Sequence, residues 1–292
     1  MKRSLLLLSL FLLLVSSQSF SSGWPRAQRQ TYLHLGWSGF STDTYLAGST
    51  PVTLENLSEN SFAFYGEYGY SERLTGTVRL PGYRMLSLRT KDGLTSNVQA
   101  PGDVEAGLRY AWIHDGSTVF STGITASFPL GETSDRMGLW TGDGEYNQLF
   151  SLNLEHRLTA FPACAALALG FNNRNAGYSD ELILGAQIGV RTVGPISLSM
   201  LLLAVEPLKN GSLDYFGGNY GFATNRQRYL QYGPELSIDL MDGFGMNIAV
   251  LAVTRAENVA SAVTVRSGVY FTLDGTRPAR VLLSEGDVQT GQ

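Results

Sequence analysis

Alternation of apolar and polar residues with period two limits this chain more than any other feature. It recurs in blocks of roughly eight to twelve residues, which is the strand signature because successive side chains on a strand point to opposite faces. From Gly102 to Ile113 one face carries Val104, Ala106, Leu108, Tyr110 and Trp112, and the other carries Glu105, Gly107, Arg109 and Ala111. From Ala262 to Leu273 the faces are Val263, Val265, Val269, Phe271 and Leu273 against Thr264, Arg266, Gly268 and Tyr270. The segments from Asp180 to Thr192 and from Tyr229 to Leu240 read the same way. After the first residues no apolar run reaches the ~18–20 residues a membrane helix needs. The chain is therefore expected to be all-β.

Twelve strands are expected, centred near Leu35, Tyr65, Val78, Leu108, Ile124, Asn153, Leu167, Ala186, Met200, Leu236, Ile248 and Val269. Those near Leu167, Met200 and Ile248 are apolar on both faces. Short connections such as Ser71-Glu72-Arg73, His114-Asp115-Gly116 and Met241-Asp242-Gly243 alternate with longer ones. Asp-Gly is a strong hairpin signal. The longer connections are expected at 42–60, 89–101, 131–145, 172–179, 205–228 and 255–261. An even-stranded, up-and-down antiparallel transmembrane barrel with short periplasmic turns and long external loops has this pattern.

The polar faces carry charges in mid-strand, and charges are rarely buried unless paired. A soluble sandwich would turn these faces to water; a membrane barrel turns them to its lumen and its apolar faces to lipid. Segments of about ten residues match a tilted membrane crossing, whereas sandwich strands average nearer ~5–6. Aromatics cluster at the expected strand ends: Phe62, Tyr68, Tyr70, Tyr110, Trp112, Phe128, Phe171, Tyr229 and Phe271. Amphipathic rings settle at the two membrane interfaces. The expected lumen residues are Glu67, Arg79, Glu105, Arg109, Glu155, Arg157, Gln187, Arg191, Glu235, Asp239 and Arg266. Acids and bases balance among them, which argues against strong charge selection. Twelve strands also lie below the roughly sixteen of open aqueous channels, so the lumen is expected to be narrow.

The N-terminus reads Lys2-Arg3-Ser4, an apolar run from Leu5 to Val15, and small residues to Ser21. This matches a secretory signal peptide. The expected organisation is a signal over 1–19, a lead over 20–30, the barrel over 31–273 and a periplasmic tail over 274–292. The net charge of −4 speaks against a nucleic-acid partner. The single cysteine, Cys164, permits no intrachain disulfide. His34, His114 and His156 lack metal-ligand spacing. Asp143 and Glu145 are read as a solvated acidic loop rather than a calcium site. Nucleophile-elbow, phosphate-loop and zinc-protease motifs are absent. No catalytic residue, cofactor or metal is expected, and the chain is not read as an enzyme.

Two features concern partners. Gly268, Phe271 and Leu273, on the last strand, resemble the signal by which outer-membrane barrels are recognised by the assembly machinery. Tyr215, Phe216, Tyr220 and Phe222 sit among glycines and asparagines, in a loop that could touch an apolar ligand or serve as an external surface.

Several segments carry a family resemblance. They are Gly102-Asp103-Val104-Glu105-Ala106-Gly107-Leu108-Arg109-Tyr110, Ser127-Phe128-Pro129-Leu130-Gly131-Glu132 with Trp140-Thr141-Gly142-Asp143-Gly144, and Gly170-Phe171-Asn172 with Tyr178-Ser179-Asp180-Glu181. They resemble segments of the family called "MetA-pathway of phenol degradation". The resemblance implies an exported outer-membrane barrel that admits small hydrophobic or aromatic molecules, and it implies no catalytic residue. The functional expectation is passive passage of a small-molecule permeant in outer-membrane lipid. The alternatives are a plugged structural or surface-interaction barrel, and a soluble exported β-sandwich binding module.

Overall fold

The computed structural model describes residues 23–158, 161–192, 194–212 and 225–274. The expected signal segment, the loop aromatics Tyr215, Phe216, Tyr220 and Phe222, and the tail after Asp274 lie outside the described residues. The strands are β1 (Gln30–Ala47), β2 (Thr50–Gly69), β3 (Leu74–Arg89), β4 (Thr95–Ala100), β5 (Val104–His114), β6 (Thr118–Phe128) and β7 (Asn147–Leu158). They continue with β8 (Ala163–Arg174), β9 (Glu181–Arg191), β10 (Ile196–Pro207), β11 (Arg228–Met241), β12 (Phe244–Glu257), β13 (Val259–Ala260) and β14 (Val263–Asp274).

Twelve of these form a closed antiparallel barrel in the order β1, β2, β3, β5, β6, β7, β8, β9, β10, β11, β12, β14. The seam is β1, which pairs on one side with β2 and on the other with β14. His34, for example, faces Tyr65 of β2 and Tyr270 of β14. Closure leaves the wall no unpaired edge. β4 and β13 are short additions, paired with β3 and β1. All twelve expected strand centres fall within barrel strands.

Three expected loops are corrected. Residues 42–60 are mostly strand: β1 runs to Ala47 and β2 restarts at Thr50, around a turn in which Gly48 takes φ 61°. The connections at 89–101 and 255–261 contain β4 and β13. Strand there is hidden from an apolar-alternation search because Tyr45, Leu46, Val52, Leu54 and Leu57 do not keep a period of two, β4 is mostly polar and β13 is only two residues long.

The oily faces point outward. Leu108 is 49% exposed and Ile188 57%, while their in-strand neighbours Arg109 and Gly189 are buried. Leu152, Leu154, Leu167, Leu169, Leu182 and Leu198 continue this apolar exterior. Leu108 and Ile188 would be hidden between the sheets of a sandwich. An apolar outside around a polar inside suits hydrocarbon, not water.

We expect Leu167→Arg, on the outer face of β8, to destabilise the barrel by about 2–4 kcal/mol, the cost of a midplane cation on the lipid face. Gln187→Arg, facing inward on β9, is expected to be near neutral. Denaturant unfolding in lipid vesicles measures both.

Candidate functional site

The lumen holds a cavity of about 560 Å³, within the range of small-molecule sites. Arg79, Glu105, Arg109 and Arg266, from the expected lumen set, line it. Arg79 pairs with Glu105 at 3.5 Å, and Arg266 Nη2 donates to Gln231 Oε1 at 2.7 Å. Glu235, two inward positions further along β11, accepts from Asn247 Nδ2 at 3.0 Å. Arg191 and Asp239 pair at 3.0 Å, exposed at the short-turn rim. Gln187 is half-buried on the inward face of β9. The remaining three, Glu67, Glu155 and Arg157, meet a segment that the sequence did not reveal as part of the site.

That segment is the lead before β1. It crosses the short-turn mouth from β1 to β7, five places along the twelve-strand ring. Twelve tilted strands at ~4.8 Å spacing make a wall roughly 24 Å across. Seven extended residues reach at most about 23–25 Å, so residues 23–29 suffice to bridge it. Residues 23–26 make their contacts to side chains of the wall, and residues 28 and 29 reach the carbonyls of Tyr70 and Gly69. The Gly23 amide donates to Glu155 Oε2 at 3.1 Å, and the Trp24 carbonyl accepts from Arg109 Nη2 at 3.0 Å. The Arg157 guanidinium lies 3.9 Å from the Trp24 ring centre, and His114 meets that ring edge-on. The Arg26 amide donates to Thr75 Oγ1 at 2.9 Å. Glu67, 2% exposed, is the hub: it takes Arg26, Arg109 (3.1 Å) and the Tyr65 hydroxyl (2.6 Å). Gly69 is required beneath the segment, because a Cβ there would sit 2.0 Å from the Ala27 carbonyl oxygen.

The opposite mouth is roofed by residues 129–146. Asp103 holds this loop by accepting from the Gly131 and Asp143 amides at 2.8 and 2.7 Å. Arg84 donates to the Thr141 carbonyl at 2.7 Å. Leu139, fully buried, packs with Phe40, Leu57, Leu86 and Leu88. Asp143 and Glu145 are not solvated as expected. They surround buried Arg174 together with Glu181, which receives Arg174 Nη1 at 2.7 Å. One guanidinium cannot balance three buried carboxylates. Burial pushes Glu145 up to about 8 and Asp143 up to about 6, against the pull of Arg174.

Other expectations are placed as follows. Tyr229, expected in an aromatic girdle, instead lines the lumen cavity. Phe271 stacks on Phe244 at 4.8 Å, Leu273 is exposed, and Gly268 packs beneath His34. The three histidines are apart: His34 contacts Asn247, His114 contacts Trp24 and His156 contacts Thr118. Among the described residues no cluster of His, Cys, Asp or Glu is arranged to hold a metal.

An outer membrane channel from Pseudomonas putida F1 superposes with TM-score 0.65 at 11% identity, covering 89% of this chain and 100% of that one. The chain shares its fold with outer-membrane channels. The NanC porin matches with TM-score 0.52 at 10% identity, covering 82% of this chain and 100% of that one. The KdgM porin matches with TM-score 0.50 at 9% identity, over 82% and 99%. By sequence, no family model and no curated protein matches.

Two outcomes follow. Glu67→Gln removes the charge that holds Arg26 and Arg109, and is expected to raise single-channel conductance several-fold in planar bilayers without loss of the folded barrel. Glu145 binds its proton more tightly folded than unfolded, so the roof loses stability as pH rises from about 4.5 to about 8. Amide exchange over 137–146, normalised to intrinsic rates, should show more protection at pH 5 than at pH 9.

Proposed function

We propose that this chain is an exported outer-membrane channel through which small molecules diffuse passively. The observation that carries this is the inversion of the fold: leucine and isoleucine outside, ionic pairs inside, and a 560 Å³ cavity along the axis. An enclosed row of charged pairs suits a wet path, since charges away from water are costly even when paired. The fold shared with the Pseudomonas putida channel supports the same function. The resemblance to the "MetA-pathway of phenol degradation" family adds small hydrophobic or aromatic molecules as the permeant class. Lys2-Arg3 and the apolar run that follows supply the export signal, and β14 supplies the assembly signal.

A second function is favoured by one observation. Segments tied to the wall cover both mouths, residues 23–29 at one end and 129–146 at the other. Such a barrel could be closed and structural. Full-length protein in planar bilayers separates the two. Discrete conductance steps are expected, smaller than those of a wide porin; silence at all voltages would select the closed barrel.

A further inference from the structure

The lumen has two unlike walls. β10 and β3 stand six places apart in the ring of twelve, so they face each other across the axis. On β10 the inward residues at cavity height are Leu201, Leu203 and Val205, flanked by Ile183 of β9 and Leu251 of β12. Leu201 and Leu251 are buried and pack together through Ala249. The opposite wall carries Arg79 and Arg84 on β3, while Arg266, on β14, lies beside the apolar wall in register with Ala249 of β12.

Leu203, the half-buried member of this wall, gains where an apolar surface covers it. The facing guanidiniums differ in how they are engaged. Arg84 is held by Glu59 at 2.8 Å and by the Thr141 carbonyl. Arg79 has the looser tie, a single carboxylate, Glu105, at 3.5 Å, and both groups are partly exposed. Arg79 also lies within electrostatic reach of Arg266, which donates to Gln231. Thr264, 4% exposed, lines the same cavity with its Oγ1 unsatisfied by protein.

We infer that this chamber is a binding site for small amphipathic monoanions. The apolar body lies on Leu201, Leu203, Val205 and Leu251, and the anionic head meets Arg79, with Arg266 and Thr264 beside it. A guanidinium offers five donors in a planar fork suited to a carboxylate or sulfonate. Glu59 and Glu105 also face this space. They set the requirement for a single charge, because a second negative group would lie against them. The inference deepens the channel proposal and rests on its wet lumen.

The test uses full-length protein folded in detergent and three probes that stay charged at neutral pH: hexanesulfonate, methanesulfonate and hexylammonium. Calorimetry should give hexanesulfonate at least about tenfold tighter binding than either of the others, since each buried methylene adds favourable transfer energy. Arg79→Gln should erase the preference for the anion over hexylammonium. Leu203→Asn should erase the preference for the longer chain. Both variants are checked for heat-modifiable mobility, which reports the closed barrel. If mobility is lost in one, Arg79→Lys or Leu203→Ala replaces it, with the same loss expected in weaker form. Equal binding of the three probes, or binding indifferent to both substitutions, would overturn the site. Conductance of the wild type is recorded in parallel. Steps without discrimination sink the site and spare the channel; discrimination without steps supports the site and sinks the channel.

Discussion

The wall must satisfy its own backbone. In hydrocarbon each unpaired amide or carbonyl costs several kcal/mol, so a sheet can cross only if its last strand returns to its first. β1 meets that demand by pairing along one edge with β2 and along the other with β14. Once the ring closes, strand pleating has no freedom left. One residue in two faces out, the next faces in, and a one-residue slip would exchange the two sets along a whole strand. The apolar exterior and the charged interior follow from that single condition.

Closure also creates an interior whose ends need attention. The lead segment and the 129–146 loop are tied mainly by groups on the inner wall: Glu67, Thr75, Arg109 and Glu155 below, Asp103 and Arg84 above. The charges of the inner wall thus also hold the lumen's floor and roof. Such ties depend on partners more than on packing. Removing one member of a buried pair leaves the other uncompensated, which makes these ends adjustable in a way the wall is not.

Much of this was legible in the residues. Alternation located most of the barrel strands, strand-length apolar runs between turn signals located β8, β10 and β12, and inward positions such as Arg79, Glu105, Arg109 and Arg266 followed from the charged face. Strand beyond the alternating region was not legible, because the apolar residues between Thr42 and Asn60 (Tyr45, Leu46, Val52, Leu54 and Leu57) do not keep a period of two and β13 is only two residues long. The floor was missed for a different reason. Gly23 to Arg29 has no periodicity, and its partners are distant by up to 132 positions in the chain. The apolar lumen wall did leave a trace. β8, β10 and β12 read as apolar on both faces, and on β10 and β12 the second apolar face is Leu201, Leu203, Val205 and Leu251, pointing into the cavity.

The direction in which side chains face decides the account, and spin labels report it residue by residue. In a Cys164→Ser background, Ala166→Cys, Leu167→Cys, Ala168→Cys and Leu169→Cys would each carry a nitroxide along β8 in lipid vesicles. Labels at 167 and 169 should collide with dissolved oxygen, which concentrates in lipid, and those at 166 and 168 with a water-soluble nickel chelate. The reverse pattern, or nickel access at all four positions, would contradict a barrel with lipid outside and water within.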